Sequence, residues 1–336
     1  MPEAQVRDVA ARAGVSPATV SNALNHPDKV SPATRERVHA AIAELGFVRN
    51  SAAHQLRRGT NRAVGMVVLD VANPFFTDVA RGVEDGLAEQ GRPLILGNSG
   101  QEPIRESAYL DLFEEQRVSG LLITPVGDVL GRLRRLRDRG TCVVLVDRRV
   151  GVKEFSSVTV DDRRGGRLAT EHLLALGRRR LAFVGGPVRL NQVRHRLEAA
   201  RAAVDAHGSG EVRYVETTTM DAAAGRTGAE QLLSLPAAER PDAIFAANDL
   251  VALGVLQALT RARVAVPDDI AIVGFDDIDF AASAAVPLSS VRQPAVDMGR
   301  AATTRLLEII ADPTGSSVTH TVLEPELVVR DSTAGA

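Results

Sequence analysis

Four short apolar runs end in a carboxylate, and a fifth leads into an Asn-Asp pair. They are AVGMVVLD (63–70), CVVLVD (142–147), SVTVD (157–161), AIFAAND (243–249) and IAIVGFD (270–276). The residues at issue are Asp70, Asp147, Asp161, Asn248 and Asp276. In open parallel sheets, ligands bind outside the carboxyl ends of the strands. Asp accepts a hydrogen bond from a hydroxyl, and Asn both donates and accepts. The chemistry on offer is therefore hydrogen bonding to a hydroxyl-rich molecule. The competing reading is that these residues cap the helices that follow. Asp70 and Asp161 read as caps; for Asp147, Asn248 and Asp276 residue type alone leaves both readings open.

A second candidate surface lies near the N-terminus. Ser16-Pro17 is a helix start, with Ser as N-cap and Pro at the first helical position. The helix over roughly 17–24 turns Val20 and Leu24 inward and presents Pro17, Ala18, Ser21 and Asn22 on its other face. Those side chains are short, so the backbone can approach a groove. Asn can pair bidentately with adenine and Ala can touch a thymine methyl. Ser16, Thr19, Ser21 and Asn25 can contact phosphates. A solvated face of any small helical domain would read similarly.

Catalytic signals are missing. There is no GxGxxG after a strand, no GxxxxGK[ST], no GxSxG and no HExxH. The seven histidines are scattered and make no metal spacing with the single cysteine, Cys142, which lies in an apolar run and reads as a buried structural thiol. The expectation is no catalytic residue, no metal and no cofactor. A lone cysteine and an N-terminus without an apolar signal core lead us to expect a cytoplasmic, nucleoid-associated protein.

The elements that position these residues form three groups. The head has three helical segments: Val6, Val9, Ala10 and Ala13 at helical spacing before Gly14; the helix from Pro17; and one from Ser31-Pro32 with Val38, Ile42 and Leu45, closed by Gly46. Residues 1–62 carry nine Lys/Arg against five Asp/Glu, a net of +4, while the remainder carries −6. A basic head on an acidic body suits a polyanion partner at one end. Next comes the alanine-rich stretch NSAAHQLRRG (50–59), too short to be a stable helix alone. From residue 63 the apolar runs alternate with helical segments, which predicts parallel sheets covered by helices. PLILGN (93–98) and GLLITPV (120–126) join the runs at 63–70 and 142–147 in a first set. SVTVD, RLAFVGG (180–186) and the two later runs form a second. Two sets predict two lobes, with residues 288–329 crossing back between them. The runs are far short of the roughly 20 residues that span a bilayer.

The head segment resembles the DNA-binding head of the LacI family of bacterial regulators, on the pattern DVA-x-x-AGVS-x-x-TVS-x-x-LN. The resemblance continues through NPFF (73–76), VDRR (146–149), AAND (246–249), VGFDD (273–277) and VRQPA (291–295). It implies a helix-turn-helix domain over 1–49 and a hinge helix over 50–60. It further implies a two-lobed, periplasmic-binding-protein-like core over 61–336 that binds effector and dimerises. It implies that hinge helices of two subunits enter the minor groove, with Leu56 as the wedge and Asn50 and Ala53 beside it. In the core it selects the ligand reading for Asp147, Asn248 and Asp276, and adds Arg196, with Phe75 as an apolar platform and Gln293 from the crossing segment. Departures are Gln5 for a Thr cap, Arg49 for a Pro, Glu198-Ala199-Ala200 after Arg196, and Met220 where many sugar-binding members have an aromatic.

The expected function is a repressor that binds a palindromic operator as a homodimer, switched allosterically by a small effector between the lobes, a sugar or sugar derivative first and a purine or nucleoside second. A free-standing sugar-binding protein and a doubly wound α/β enzyme are the competitors of another class, and neither has a use for the basic head.

Overall fold

The computed structural model describes residues 4–47, 62–150 and 153–334. The chain divides into two compact units, residues 1–60 and 61–336.

In the first unit, helices α1 (Val6–Ala13), α2 (Pro17–Asn25) and α3 (Pro32–Leu45) enclose Val9, Ala10, Ala13, Val20, Ala23, Val38, Ala41 and Phe47. The punctuation is local. Ser16 and Ser31 cap α2 and α3 by accepting from the backbone N–H of Thr19 and Thr34. Gly14 and Gly46 stop α1 and α3 at φ of 64° and 59°, a backbone that favours glycine. Gln5, in place of a hydroxyl cap, donates its backbone N–H to the Asp8 carboxylate at 2.8 Å. Arg12 ties α1 to α3 through Glu44 at 2.7 Å. Val6 departs from the expected core and is exposed, because the first residue of α1 extends past the packed face.

The second unit holds two six-stranded sheets. The first runs in the order β11 (His320–Leu323), β5 (Ser156–Val160), β4 (Cys142–Val146), β3 (Gly120–Ile123), β1 (Val64–Val68) and β2 (Leu94–Asn98), all parallel. The second runs β12 (Glu326–Val328), β10 (Ser289–Arg292), β9 (Ala271–Asp276), β8 (Ala243–Ala246), β6 (Arg180–Gly185) and β7 (Glu211–Glu216). Among the described residues its one antiparallel pair is β10 with β12. Strand residues alternate between two cores, as sheets covered on both faces require. Leu122 joins Val79 and Leu306 on one face of the first sheet, while Leu121 and Ile123 join Phe113 and Leu133 on the other. In β6, Leu181 and Phe183 face one core of the second lobe and Ala182 and Val184 the other.

The lobes do not follow the two sequence sets. SVTVD belongs to the first sheet, since β5 pairs with β4, and the chain leaves that lobe only after Val160. It returns after β10 into helix α12 (Ala295–Ala311), which packs on α4 (Pro74–Ala88) of the first lobe. A Cβ on Gly299 would sit 2.1 Å from the Val79 carbonyl oxygen, so this helix pair is closely apposed. The third crossing joins β11 to β12. The crossings therefore fall at Asp161, Gln293-Pro294 and Glu324-Pro325. Strands β7, β10, β11 and β12 carry too little apolar character to stand out in the sequence; β7 reads EVRYVE and is an edge strand. Cys142 opens β4 half-buried rather than fully enclosed.

Candidate functional site: the interlobe cleft and the helical head

The carboxyl ends of the two sheets converge, and the backbone there is unusual. Asp147, just past β4, has φ 58°; Asp276 at the end of β9 has φ 106°, followed by Asp277 at 56°. Residues other than glycine seldom adopt such angles, although Asp tolerates them better than most. They persist where the surroundings over-determine them. Around Asp276 the fastening is visible. Buried Asp249 accepts from the backbone N–H of Ile278 at 2.9 Å and from Ser290 Oγ at 2.7 Å. Ser290 Oγ in turn accepts from the Asp277 N–H at 3.1 Å. Arg292 Nε and Arg330 Nη1 hold the Asp277 carboxylate at 2.6 and 2.7 Å.

Asp276 is the junction of the site. Its Oδ2 accepts from Asn73 Nδ2 at 2.9 Å and its Oδ1 from Gln293 Nε2 at 2.7 Å. Asn73 belongs to the first lobe, where its Oδ1 also caps α4 through the Phe75 N–H at 3.1 Å. Gln293 lies on the crossing segment, as expected. Phe75 is buried edge-on to Phe76 and lines one cavity with Asp276 and Gln293. On the other side, Gln192 Nε2 of helix α8 (Asn191–His207) reaches Asp147 Oδ2 at 3.4 Å, a second contact across the lobes.

Arg196, on α8, is 4% exposed and fully directed. Its Nε and Nη2 lie 2.8 Å from Asp162 Oδ1, its Nη1 donates to the Ala247 carbonyl at 2.7 Å, and its guanidinium carbon stacks 3.4 Å from the Phe275 ring centroid. Glu198 is not its partner; that carboxylate pairs with Arg163 and Arg194 on the exposed side of the helix.

One guanidinium thus contacts Asp162 and acts through its charge on Asp147 and Asp276. Burial, reinforced by Asp162, raises the Asp147 carboxyl well above the usual range, and Arg196 opposes this only in part. Burial likewise pushes Asp276 up to about 6, against the pull of Arg196, Asn73 and Gln293. Among the buried side-chain atoms without a hydrogen-bond partner are two acceptors of this site, Asp147 Oδ1 and Gln293 Oε1. Unpaired buried polar atoms are costly, and here they lie where a ligand's hydroxyls could satisfy them.

The other expected residues fall out differently. Asn248 caps helix α10 (Asp249–Arg261) through the Val251 N–H at 2.9 Å, and its Nδ2 donates to the Met220 carbonyl at 3.1 Å, so its side chain is in structural use. Asp161 caps helix α7 (Asp162–Ala175). Asp70 does not cap a helix; it braces a turn through the Ala72 N–H, and Asn73 is the cap. Asn73, Asp162, Gln192 and Asp249 escaped sequence reading. Asn73 stood in NPFF and Asp162 beside Asp161, but polar residues of no fixed spacing carry no signal until the lobes meet. Arg148, of VDRR, donates to the Pro125 and Val126 carbonyls at 2.6 and 2.8 Å.

In the head, Ser16, Pro17 and Ala18 are exposed, and Thr19, Ser21 and Asn22 half-buried. The Asn25 side chain and the hinge candidates Asn50, Ala53 and Leu56 lie outside the described residues. Among the described residues no group of His, Cys, Asp or Glu could hold a metal ion, and no helix is long and apolar enough to cross a membrane.

A three-helix head preceding a two-lobed α/β core with a polar interlobe cleft defines the class of ligand-responsive DNA-binding regulators. Comparison places the chain within it. The family of bacterial regulatory proteins, lacI family, matches residues 5–50, and the periplasmic binding protein-like domain matches 170–333. The ribose operon repressor of Escherichia coli K12 is 35% identical over 93% of this chain and 94% of its own. The lac repressor dimer bound to operator and the anti-inducer ONPF superposes with TM-score 0.81 at 27% identity, over 98% of this chain and 99% of that one. A LacI-family regulator of Enterococcus faecium with bound ribose superposes with TM-score 0.73 at 28% identity, over 82% of this chain and 99% of that one. The chain belongs to the lacI family of bacterial regulatory proteins. It is a DNA-binding transcription regulator, and its relatives are regulators rather than enzymes.

Proposed function

We propose that this regulator is a cytoplasmic, nucleoid-associated repressor that binds a palindromic operator as a homodimer and is switched by a small neutral sugar, of pentose size, held between the lobes. The observation that carries the effector reading is the pair of buried, unpartnered acceptors at Asp147 and Gln293. Gln293, Asp276 and the Phe75 ring line one cavity, and the Arg196 charge acts on both Asp147 and Asp276. Hydroxyls of a sugar are donors of the right kind and number. The ribose operon repressor and the ribose-bound regulator support D-ribose as the first compound to try.

In this reading residues 1–49 are the DNA-binding domain, 50–60 the hinge and 61–336 the effector-binding and dimerising core. Pro17, Ala18 and Asn22 face base edges, with Ser16, Thr19, Ser21 and Asn25 on phosphates. Asn50, Ala53 and Leu56 act at the operator centre. Asn248 contributes by shaping the cleft wall. Effector seated on Asp147 and Asp276 bears on both lobes, so it shifts their relation and with it the spacing of the two heads. The chain has no catalytic residues in this account.

The test is a thermal-shift screen against pentoses, hexoses, purines and nucleosides, followed by fluorescence anisotropy on a palindromic duplex with and without the compound that binds. Expected are a melting shift with a pentose and a salt-dependent operator affinity that changes when the pentose is present. A shift with purines or nucleosides alone would overturn the sugar reading.

A further inference from the structure

We propose that Asp162 is a specificity-determining residue that commits the cleft's guanidinium, so that the site takes an uncharged polyol and rejects its phosphate ester. This rests on the cleft being the effector site. A phosphate ester needs donors and positive charge. Arg196 is the cation that acts on both Asp147 and Asp276, and it is not available. Asp162 takes its Nε and Nη2, the Ala247 carbonyl takes its Nη1, and the Phe275 ring covers its face.

The neighbouring cations are largely engaged. Arg148 gives Nη1 to two backbone carbonyls and feels Glu106, with its buried Nε left without a partner; Arg194 faces Glu198, and Arg292 bridges Asp277 and Glu326. The side-chain atoms left without partners at Asp147 and Gln293 are oxygens that suit hydroxyl donors. A phosphate brought beside the Asp276 carboxylate would meet like charge in a poorly solvated site, with the Arg196 charge already balanced by Asp162.

Asp162 is well placed for this role. It is the first residue of α7, directly after the Asp161 crossing, and is 8% exposed. Its carboxylate lies in the first turn of that helix, against the Arg196 guanidinium. Asp162 thus balances the Arg196 charge without being a ligand contact itself. Replacing it with Asn keeps the size and an acceptor but releases one unit of positive charge into the cleft.

The test is isothermal titration of the full-length parent and Asp162→Asn with D-ribose, D-ribose 5-phosphate and inorganic phosphate. The parent is expected to bind D-ribose at least about 100-fold more tightly than the phosphate ester, the order set by one uncompensated repulsion near ~6 Å at an effective dielectric of about 20. Asp162→Asn is expected to close that gap at least about tenfold, one unit of charge being restored, mainly by gaining affinity for the ester and for inorganic phosphate.

A parent that binds the ester as well as the sugar overturns the proposal, and so does a variant that keeps the parent's discrimination. If the parent binds neither sugar, the pentose reading fails by itself. The charge argument then stands if Asp162→Asn gains inorganic phosphate binding over the parent, and falls if it does not. Should Asp162→Asn fail to fold by circular dichroism, Asp162→Ser removes the same carboxylate from Arg196 and is expected to narrow the same gap; an unchanged gap overturns the proposal.

Discussion

Asn73 and Asp276 stand 203 residues apart in the chain and share a 2.9 Å hydrogen bond across the two lobes. Asn73 has two tasks, since its other side-chain atom caps α4. Asn73→Ser keeps a capping acceptor but loses the donor to Asp276. The variant should fold with a melting temperature near the parent's and should show the Asp276 carboxyl above about 6, because a bond favouring the ionised form is gone. Carboxyl carbon shifts followed by NMR against pH would measure this; an unmoved titration would count against it.

Asp276 also makes stability depend on pH. Its folded value of about 6 lies above the ordinary unfolded value, so the native state binds more protons between the two. The contribution of this group to stability is therefore greatest at low pH and falls as pH rises through about 4 to 6, by about 3 kcal/mol. Asp276→Asn should lose that slope, which urea midpoints of parent and variant between those pH values would reveal.

Effector binding should carry the opposite sign. A sugar hydroxyl donating to Asp276 favours the ionised carboxylate, so binding near pH 6 releases protons and affinity rises as pH rises through about 6. Titrations in buffers of different ionisation enthalpy would count the protons, and Asp276→Asn should abolish the release at that pH.

The helix pair that returns the chain to the first lobe should tolerate no added methyl. Gly299→Ala places a Cβ 2.1 Å from the Val79 carbonyl oxygen, so the helices must part. A loss of about 1–3 kcal/mol is expected, measured by chemical denaturation. A variant as stable as the parent would show that the pair separates freely.

In the head, Asn22→Ala should weaken operator binding by about 1–3 kcal/mol and relax the preference at one base position. Leu56→Ala should weaken it severely while leaving effector binding intact, if that side chain wedges the operator centre. Anisotropy titrations on matched and mismatched duplexes decide both.

The head and the alternating order of the core were legible from residue order, because caps, glycine stops and apolar runs act over a few neighbours. Ser16 before Pro17, Gly14 and Gly46 all behave as their local chemistry dictates. Asp147 and Asp276 were readable as strand-end carboxylates, and the family motifs pointed to Arg196 and Gln293. Local order could not say that SVTVD joins the first sheet, since pairing between β5 and β4 depends on partners far along the chain. Nor could it show that Asp162, rather than Glu198, faces Arg196, or that the Asn248 side chain is spent on a cap and on Met220. Those outcomes were decided when two lobes, each returning strands to the other, brought separated polar groups into one poorly solvated space. There every donor competes for the acceptors within reach, and only the tertiary structure sets which those are.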